Sequence, residues 1–262
     1  MIVVKIGGSV TNPDNVLREV AELDEPVVIV HGASRELDEL SRRLGSPPRI
    51  VESGRGDSTR YTDAVTMDHF LMAYAGKVNK RIVERLRQLG VNAIGLTGMD
   101  GGIVRGRRRP DLRITENGRT KVLHDNHVGT IESVDPTLLT LLMQSGHTAV
   151  LTPPIAGEDG TALNVDGDRM SAEIAVALDA RALVILSDTP GLLEDVSVST
   201  STIADVEPDD VEMVIEMAGG RMRTKIRAAS RAHSHGIRAV LSDGRVERPI
   251  ASALAGRGTR FR

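Results

Sequence analysis

The chain has 262 residues, of which 26% are charged and 40% are hydrophobic, and its formal net charge is −3. The balanced charge and the 2% of aromatic residues argue against nucleic acid as a partner. Cysteine is absent, which excludes disulfides, a thiol nucleophile and cysteine-ligated zinc in this chain. Since no apolar run approaches the roughly 18 residues of a membrane span, we expect a cytoplasmic protein with no membrane partner.

Apolar, β-branched segments alternate with amphipathic segments along the chain. The predicted strands cover 2–6, 26–31, 91–98, 147–155, 182–188 and 237–244. Their nearly continuous apolar character is typical of a parallel sheet covered on both faces. The predicted helices cover 14–23, 34–45, 62–90, 135–146, 168–180 and 208–236. This alternation predicts an open α/β sheet, whose functional sites lie at the carboxyl ends of the strands.

Residues 103–134 interrupt the alternation. We predict a β-hairpin excursion here, with strands near 103–107 and 119–124 joined by a turn at ENGR (116–119). The first part of this segment is rich in arginine: Arg105, Arg107, Arg108 and Arg109. A solvated charged face is one interpretation, and a docking surface for an acidic partner is the other.

Glycine follows three of the predicted strands, in KIGGS (5–9), HGAS (31–34) and SDTPGLL (187–193). Glycine allows a backbone turn to bring bare N–H groups against an anion. A tight turn explains any one of these sites alone, whereas three at one edge of a sheet favour an anion site. The P-loop pattern is missing, and no turn completes GxGxxG, which disfavours a dinucleotide site.

Lysine is rare in this chain, so the position of each lysine is informative. Lys5 lies inside the first predicted strand, where burying an ammonium group is costly unless the charge is used. We predict that it projects a positive charge over the glycine turn. Lys225, just beyond Gly219 and Gly220, is a second candidate, with a solvated helix lysine as the alternative. The stretch NVDGDRM (164–170) opens a helix with acidic residues, either for function or for helix capping.

The motifs KIGGS, HG, RYTD (60–63), NVDGD, SDTPGLL, GGRMRTK (219–225) and GRGTRF (256–261) resemble, in this order, the amino acid kinase superfamily. The resemblance covers essentially the whole chain. The layout is most similar to N-acetylglutamate kinase. The segment 60–86, followed by VNAIGLTGMDGG (91–102), resembles the relatives that phosphorylate glutamate or α-aminoadipate attached to an acidic, LysW-type amino-group carrier protein.

The resemblance implies a fold and a division of labour. The fold would be a three-layer αβα sandwich with a mostly parallel central sheet, as in amino acid and carbamate kinases. Residues 1–178 would form a lobe for acceptor binding and dimerisation, and residues 179–262 a lobe for ATP. The cofactors would be ATP and Mg²⁺, with the metal bound through ATP rather than by protein ligands. The long segment at 62–90 would contribute to a homodimer interface.

The resemblance also implies a role for individual residues. Lys5 and Lys225 would contact the phosphoryl groups, Asp168 would organise both lysines, and Gly7 and Gly8 would bind phosphate. The implied substrate-binding residues are Gly32, Ala33, Arg60 and Asn164. The implied nucleotide-binding residues are Asp188, Gly191, Leu192, Gly220 and Met222. The arginine-rich segment, extended by Arg55 and Arg60, would dock the carrier.

One residue departs from the pattern of the superfamily, because Ala33 stands where a third glycine is usual. Alanine adds a methyl group beside the reacting carboxylate and adopts positive φ only at a cost, so the turn can be tolerated while the fine placement of the substrate is affected. HGAS also resembles the corresponding turn of isopentenyl phosphate kinases, in which a histidine binds the substrate phosphate, and His69 would be the candidate. Two further functions stay open, namely a kinase for free N-acetylglutamate and a non-catalytic nucleotide or amino-acid sensor.

Overall fold

The computed structural model describes residues 1–10, 12–52, 58–116 and 119–262. Its central sheet consists of β1 (Ile2–Ile6), β2 (Val27–His31), β5 (Ala93–Thr97), β10 (Thr148–Thr152), β13 (Ala182–Ser187), β14 (Asp205–Val206), β15 (Arg238–Asp243) and β16 (Thr259–Phe261). The strands lie in the order β14-β16-β15-β13-β1-β2-β10-β5. Neighbours pair in parallel except β15 and β16. All six predicted strands are confirmed.

Helices cover both faces of this sheet. They are α1 (Asp14–Glu22), α2 (Ser34–Arg43), α3 (Ala64–Leu71), α4 (Asn79–Gln88), α5 (Thr137–Gln144), α6 (Gly167–Ala177), α7 (Val211–Met217), α8 (Arg221–His233) and α9 (Pro249–Leu254). One apolar core joins the sheet to α1, α4 and α9, and the other joins it to α6 and α8. The predicted αβα sandwich is therefore confirmed. No helix in the described ranges is long and apolar enough to cross a membrane.

Two of the predicted helices are interrupted. The segment predicted at 62–90 contains a π-helix, Met72–Val78, between α3 and α4. The segment predicted at 208–236 begins with a 3₁₀ turn, Pro208–Asp210, and breaks between α7 and α8. This break follows from the backbone, because Ala218 is extended and Gly220 has a φ of +50°. A positive φ is open to glycine at little cost, so the helix ends and a new one starts at Arg221.

The strands outside the central sheet form a second sheet and two ribbons. The sheet contains, in order, β12 (Ala162–Leu163), β11 (Ile155–Gly157), β6 (Val104–Arg109) and β9 (Val128–Val134). The ribbons are β3 (Ile50–Glu52) with β4 (Ser58–Arg60), and β7 (Leu112–Glu116) with β8 (Arg119–Leu123). The excursion supplies β6, β7, β8 and β9, and the other four strands come from other parts of the chain. A further 3₁₀ turn, Asp100–Gly102, precedes β6.

The predicted pairing of 103–107 with 119–124 is wrong. β6 pairs antiparallel with β9, and β8 pairs with β7. Pro110 follows β6 directly and has no N–H to continue a ladder, so the chain leaves the sheet there. Gly106 also lets β9 approach closely, because a Cβ at that position would lie 2.3 Å from the Thr130 carbonyl oxygen. Part of the predicted turn, 117–118, lies outside the described residues.

Candidate active site

Two glycine turns meet where β1 and β2 end side by side. The Gly32 N–H donates to the Ile6 carbonyl at 3.0 Å. A Cβ on Gly8 would lie 2.8 Å from the Ser34 nitrogen and 2.9 Å from the Ala33 nitrogen. The turns therefore touch backbone to backbone, with no room for a side chain between them. Since α2 begins directly after the second turn, peptide N–H groups from both turns and from the start of α2 are concentrated at one edge of the sheet.

Next to these turns, two buried lysines meet on one buried aspartate. Lys5 comes from β1, Asp168 from the first turn of α6, and Lys225 from α8. The Lys5 ammonium forms an ion pair with Asp168, and the Lys225 Nζ lies 3.2 and 3.0 Å from its two carboxylate oxygens. Lys5 and Asp168 are each 4% exposed and Lys225 is 9% exposed. The structure thus brings together the three residues for which the resemblance implies catalysis.

The two ammonium groups determine the charge of this cluster. Burial by itself would raise the pKa of Asp168, but Lys5 and Lys225 outweigh it and hold that pKa at about 2. Burial lowers the pKa of Lys5, and the Lys225 charge adds to this effect. The pKa of Lys225 is raised, because its attraction to Asp168 overcomes the effect of burial. With both lysines protonated, the three groups carry one net positive charge.

The two aspartates of NVDGDRM have different partners. The Asp166 carboxylate caps α6 by accepting from the N–H groups of Asp168 at 2.8 Å and Arg169 at 3.1 Å. Burial and the neighbouring Asp168 charge raise the pKa of Asp166. Capping and ion pairing, which the sequence left as alternatives for this stretch, are therefore both present at the start of one helix, two residues apart.

Arg60 and Asn164 are connected through Thr62. The Asn164 side-chain amide donates to the Thr62 hydroxyl at 3.0 Å, and that hydroxyl donates to the Arg60 carbonyl at 3.4 Å. The Arg60 guanidinium pairs with Asp38 of α2 through Nη2. Its Nη1 is buried and has no hydrogen-bond partner in the described ranges. A buried, unpaired guanidinium nitrogen is suited to bind a carboxylate.

The predicted nucleotide residues fall into two groups. Asp188 is exposed after β13, whereas Gly191 and Leu192 are buried against β16, where the Leu192 N–H donates to the Thr259 hydroxyl at 2.8 Å. Gly220 immediately precedes α8, and Met222 lies half-buried in the first turn of that helix. Gly220 and Met222 therefore lie at the start of the same helix that carries Lys225.

The backbone strain expected at Ala33 is not found, whereas the effect of this alanine on the placement of the substrate stays a prediction. Its φ is −145°, outside the left-handed region, so alanine adopts this backbone without the cost that we anticipated. Its methyl group packs in a small core cluster that includes Leu37, Phe70 and Tyr74. The expectation of strain was wrong because it took the third position of the turn to need positive φ.

Sequence inspection missed the polar residues that support the second turn. His31 is fully buried, with its Nδ1 donating to the Gly32 carbonyl at 3.3 Å and its Nε2 accepting from Asn79 at 3.2 Å. Burial lowers the pKa of His31 to about 4, so it is neutral at pH 7. Arg221 connects α8 to α2 by donating to the Ser34 hydroxyl at 2.9 Å. The signal that could have found these residues was a histidine at the end of an apolar strand.

His69 is not placed as an isopentenyl phosphate kinase would require. It is buried between α2 and α3, where its Nδ1 lies 3.1 Å from the Ser41 hydroxyl. A histidine committed to a buried serine inside a helix contact is not available to bind a phosphate. The structure therefore offers no support for an isopentenyl phosphate kinase at this residue.

The arginine-rich segment is strand β6. Arg105, Arg107 and Arg109 are exposed, whereas Arg108 is half-buried. Arg108 donates to Asp125 at 2.7 Å and to the Asn126 carbonyl at 2.9 Å, so it holds the adjacent loop. Arg107 lies 3.0 Å from Glu132 and 3.4 Å from Glu158. Arg55, which the sequence added to this surface, lies outside the described residues.

Comparison with known proteins agrees with this geometry. Residues 1–243 match the model of the amino acid kinase family, and the chain belongs to that family. A [LysW]-aminoadipate kinase of Deinococcus radiodurans is 46% identical over 264 residues, covering 99% of this chain and 90% of the relative. A [LysW]-aminoadipate kinase of Thermus thermophilus is 41% identical over 266 residues, covering 99% of both chains. The solved carbamate kinase of Giardia lamblia has the same fold, with a TM-score of 0.68 at 12% identity, covering 99% of this chain and 97% of that one.

Proposed function

We propose that this chain is an ATP-dependent kinase for the side-chain carboxylate of α-aminoadipate, or of glutamate, attached through its amino group to a LysW-type carrier protein. The product would be an acyl phosphate in lysine or arginine biosynthesis. The observation that carries the proposal is the pair of buried lysines on one aspartate beside two interlocked glycine turns. The high identity to two [LysW]-aminoadipate kinases supports the choice of acceptor.

The chemistry asks for positive charge and alignment rather than for a base. An oxygen of the acceptor carboxylate attacks the γ-phosphorus, the bond from that phosphorus to the bridging oxygen breaks, and ADP leaves. Because the carboxylate is already ionised at neutral pH, no proton has to be removed. Lys5 and Lys225 would neutralise the phosphoryl oxygens, and the peptide N–H groups at Gly8 and Gly32 would hold them in line.

Asp168 would act by positioning. Its carboxylate holds both ammonium groups at one point, and its low pKa keeps it ionised throughout the working pH range. Mg²⁺ would enter with ATP and would neutralise charge on the phosphate oxygens. The peptide N–H groups of the two glycine turns, which lie in backbone contact with each other, suit the phosphates of such a ligand. Within the described part of the chain no group of three or more acidic or histidine side chains could hold a metal.

We further propose a division between two lobes. In residues 1–178, Gly32, Ala33, Arg60 and Asn164 would bind the acceptor. Residues 179–262 would bind ATP, and Gly7 and Gly8, which follow β1, would bind its phosphate groups. The nucleotide residues would be Asp188, Gly191, Leu192, Gly220 and Met222. A homodimer in the cytoplasm, built partly on the α3–α4 segment, completes the proposal.

The carrier would dock on the exposed face of β6. LysW-type carriers are acidic, and positive charge near the site would steer them to it. Arg105 and Arg109 are the informative residues, because Arg107 and Arg108 already have acidic partners in the fold. Reversing both to Glu should raise the KM for a carrier-linked acceptor at low salt and leave the KM for ATP unchanged. Arg43→Glu, an exposed arginine at the end of α2, is the matched control.

The test of the function is a hydroxylamine trap for acyl phosphate, run with Mg-ATP. The acceptors are carrier-linked α-aminoadipate, carrier-linked glutamate, free N-acetylglutamate and isopentenyl phosphate, the last followed by ADP release. We expect hydroxamate on a carrier-linked acceptor and none with Lys5→Ala or Lys225→Ala. Hydroxamate from free N-acetylglutamate alone would refute the carrier, and nucleotide binding without transfer to any acid would favour a non-catalytic sensor.

A further inference from the structure

The π-helix Met72–Val78 supports the second glycine turn from two directions. Just after it, the Asn79 amide donates to the His31 ring at 3.2 Å and to the Val150 carbonyl at 2.9 Å. Within it, the Tyr74 ring packs in the same cluster as Ala33. π-helical segments are rare and are found frequently at functional sites. The extra residue per turn here places two polar side chains against the turn His31–Ala33.

The Tyr74 ring is fixed between Phe70 and the turn that contains Ala33. The ring stacks on Phe70 with centroids 3.8 Å apart and planes at 12°, and the residue is only 9% exposed. Burial raises the pKa of Tyr74 to about 12, an effect opposed by a hydrogen bond with the Ala33 backbone and by the charges of Arg60 and Arg221. The hydroxyl is therefore a neutral donor at any physiological pH. The hydrogen bonds in the described ranges give this O–H no acceptor, although a buried tyrosine hydroxyl usually has one.

Arg60 presents a second unused donor on the same side of α2. Its Nη2 is held by Asp38, one turn into that helix, and its Nη1 is buried without a partner in the described part of the chain. Tyr74 packs with Ala33 and Leu37 at the start of the same helix. The Arg60 guanidinium and the Tyr74 hydroxyl each have a donor without an acceptor among the described residues, and both side chains contact the first turns of α2. This arrangement suggests one ligand that accepts from both.

We propose that Tyr74 is a substrate-positioning residue whose hydroxyl, together with the Arg60 Nη1, donates to the free α-carboxylate of the acceptor. This inference rests on the proposed function, because a carboxylate acceptor is its premise. The α-carboxylate does not react, so the interaction is the same before and during phosphoryl transfer. Its loss should therefore weaken acceptor binding without slowing the chemical step.

Tyr74→Phe tests this directly, since it removes the hydroxyl and keeps the ring that stacks on Phe70. We expect the KM for the acceptor to rise about 10- to 100-fold, the range for a hydrogen bond to a charged group. The kcat and the KM for ATP should stay within about twofold, and the melting temperature should not fall. Tyr61→Phe is the matched control, because its hydroxyl donates to the His124 carbonyl at 2.5 Å, away from α2.

A double-mutant cycle with Arg60→Gln tests the shared ligand. If both groups bind one carboxylate, the two changes in acceptor KM should combine less than multiplicatively. An unchanged acceptor KM in Tyr74→Phe overturns the inference. So does an equal loss of affinity for ATP and acceptor with a lower melting temperature, which would mean a packing role only. The measurements use whichever acid the wild type phosphorylates in the hydroxylamine trap, so a failure of the proposed function is seen in the wild type and a failure of the inference only in the variant.

Discussion

Replacing Asp168 by Asn tests whether the lysine cluster depends on a single negative charge. The substitution keeps the shape of the side chain and removes the charge that faces Lys5 and Lys225. Two ammonium groups that are at most 9% exposed would then lie close together without compensation. We expect the unliganded protein to be strongly destabilised, while its affinity for polyanions is kept or increased.

The magnitude follows from the distances. At an effective dielectric constant of about 20, a pair of charges 3 Å apart attracts with roughly 5 kcal/mol before desolvation is counted. The pKa of Asp168, about 2 against an ordinary 3.8, corresponds to roughly 2–3 kcal/mol of stabilisation by its surroundings. Removing one partner of a buried pair typically costs about 3–5 kcal/mol, since the remaining charge stays buried. We therefore expect a loss of about 3–5 kcal/mol in the free energy of unfolding.

Urea unfolding with and without Mg-ATP measures this effect. ATP brings negative charge to the two lysines, so it should stabilise Asp168→Asn by more than it stabilises the wild type. Asp159→Asn is the control, because Asp159 is exposed and bonds only to Thr161 among the described residues. A loss below about 1 kcal/mol, or equal stabilisation of variant and wild type by ATP, would refute the electrostatic reasoning.

Three further predictions concern the surroundings of the site. His31 takes up a proton near pH 6.5 in the unfolded chain but only near pH 4 in the folded chain. As the pH falls from 6.5 towards 4, this group should therefore lower the free energy of unfolding by up to about 1.4 kcal/mol per pH unit. Urea unfolding across this range should show a weaker dependence of that free energy on pH for His31→Gln. Glu19→Ala should lower the free energy of unfolding in urea by about 1–3 kcal/mol, because the buried Glu19 carboxylate accepts from two N–H groups at the start of α9, at 2.6 and 2.7 Å. Glu22→Ala is the control and should change this free energy little, because Glu22 lies on α1 with Glu19 but is exposed. Gly8→Ala should reduce kcat at least about 100-fold in the hydroxamate assay, since its Cβ would lie 2.8 Å from a backbone nitrogen, while Gly76→Ala, with its nearest contact at 3.7 Å, should retain activity.

The strands and the lysine cluster could be predicted because their signals are local or ordered. A run such as IVVKI has few places to lie other than the interior of a parallel sheet, and a lysine within it needs a purpose. The order of the glycine turns and of NVDGD along the chain then identified Asp168 and Lys225 through the resemblance. Within each of these motifs the informative residues lie a few positions from one another.

What could not be predicted depends on contacts between distant segments. The partner of β6 is set by a glycine at residue 106 that admits Thr130, and no pattern within either strand records this. The π-helix keeps an apolar pattern compatible with an ordinary helix, so nothing in the sequence distinguishes Tyr74 from the core residues around it. The expectation of strain at Ala33 failed for the same reason, since the backbone angle of a turn is decided by what packs behind it.

The backbone contact between the two glycine turns has a mechanical consequence. Lys5 belongs to a strand hydrogen-bonded on both sides, and the turns that follow β1 and β2 cannot separate without breaking that contact. Lys225, by contrast, is carried by a helix that starts after two consecutive glycines. One lysine of the cluster is therefore held in the middle of the sheet, and the other is attached to α8. Any domain motion that accompanies nucleotide entry would reach the phosphoryl group through Lys225, with Lys5 as the fixed point of reference.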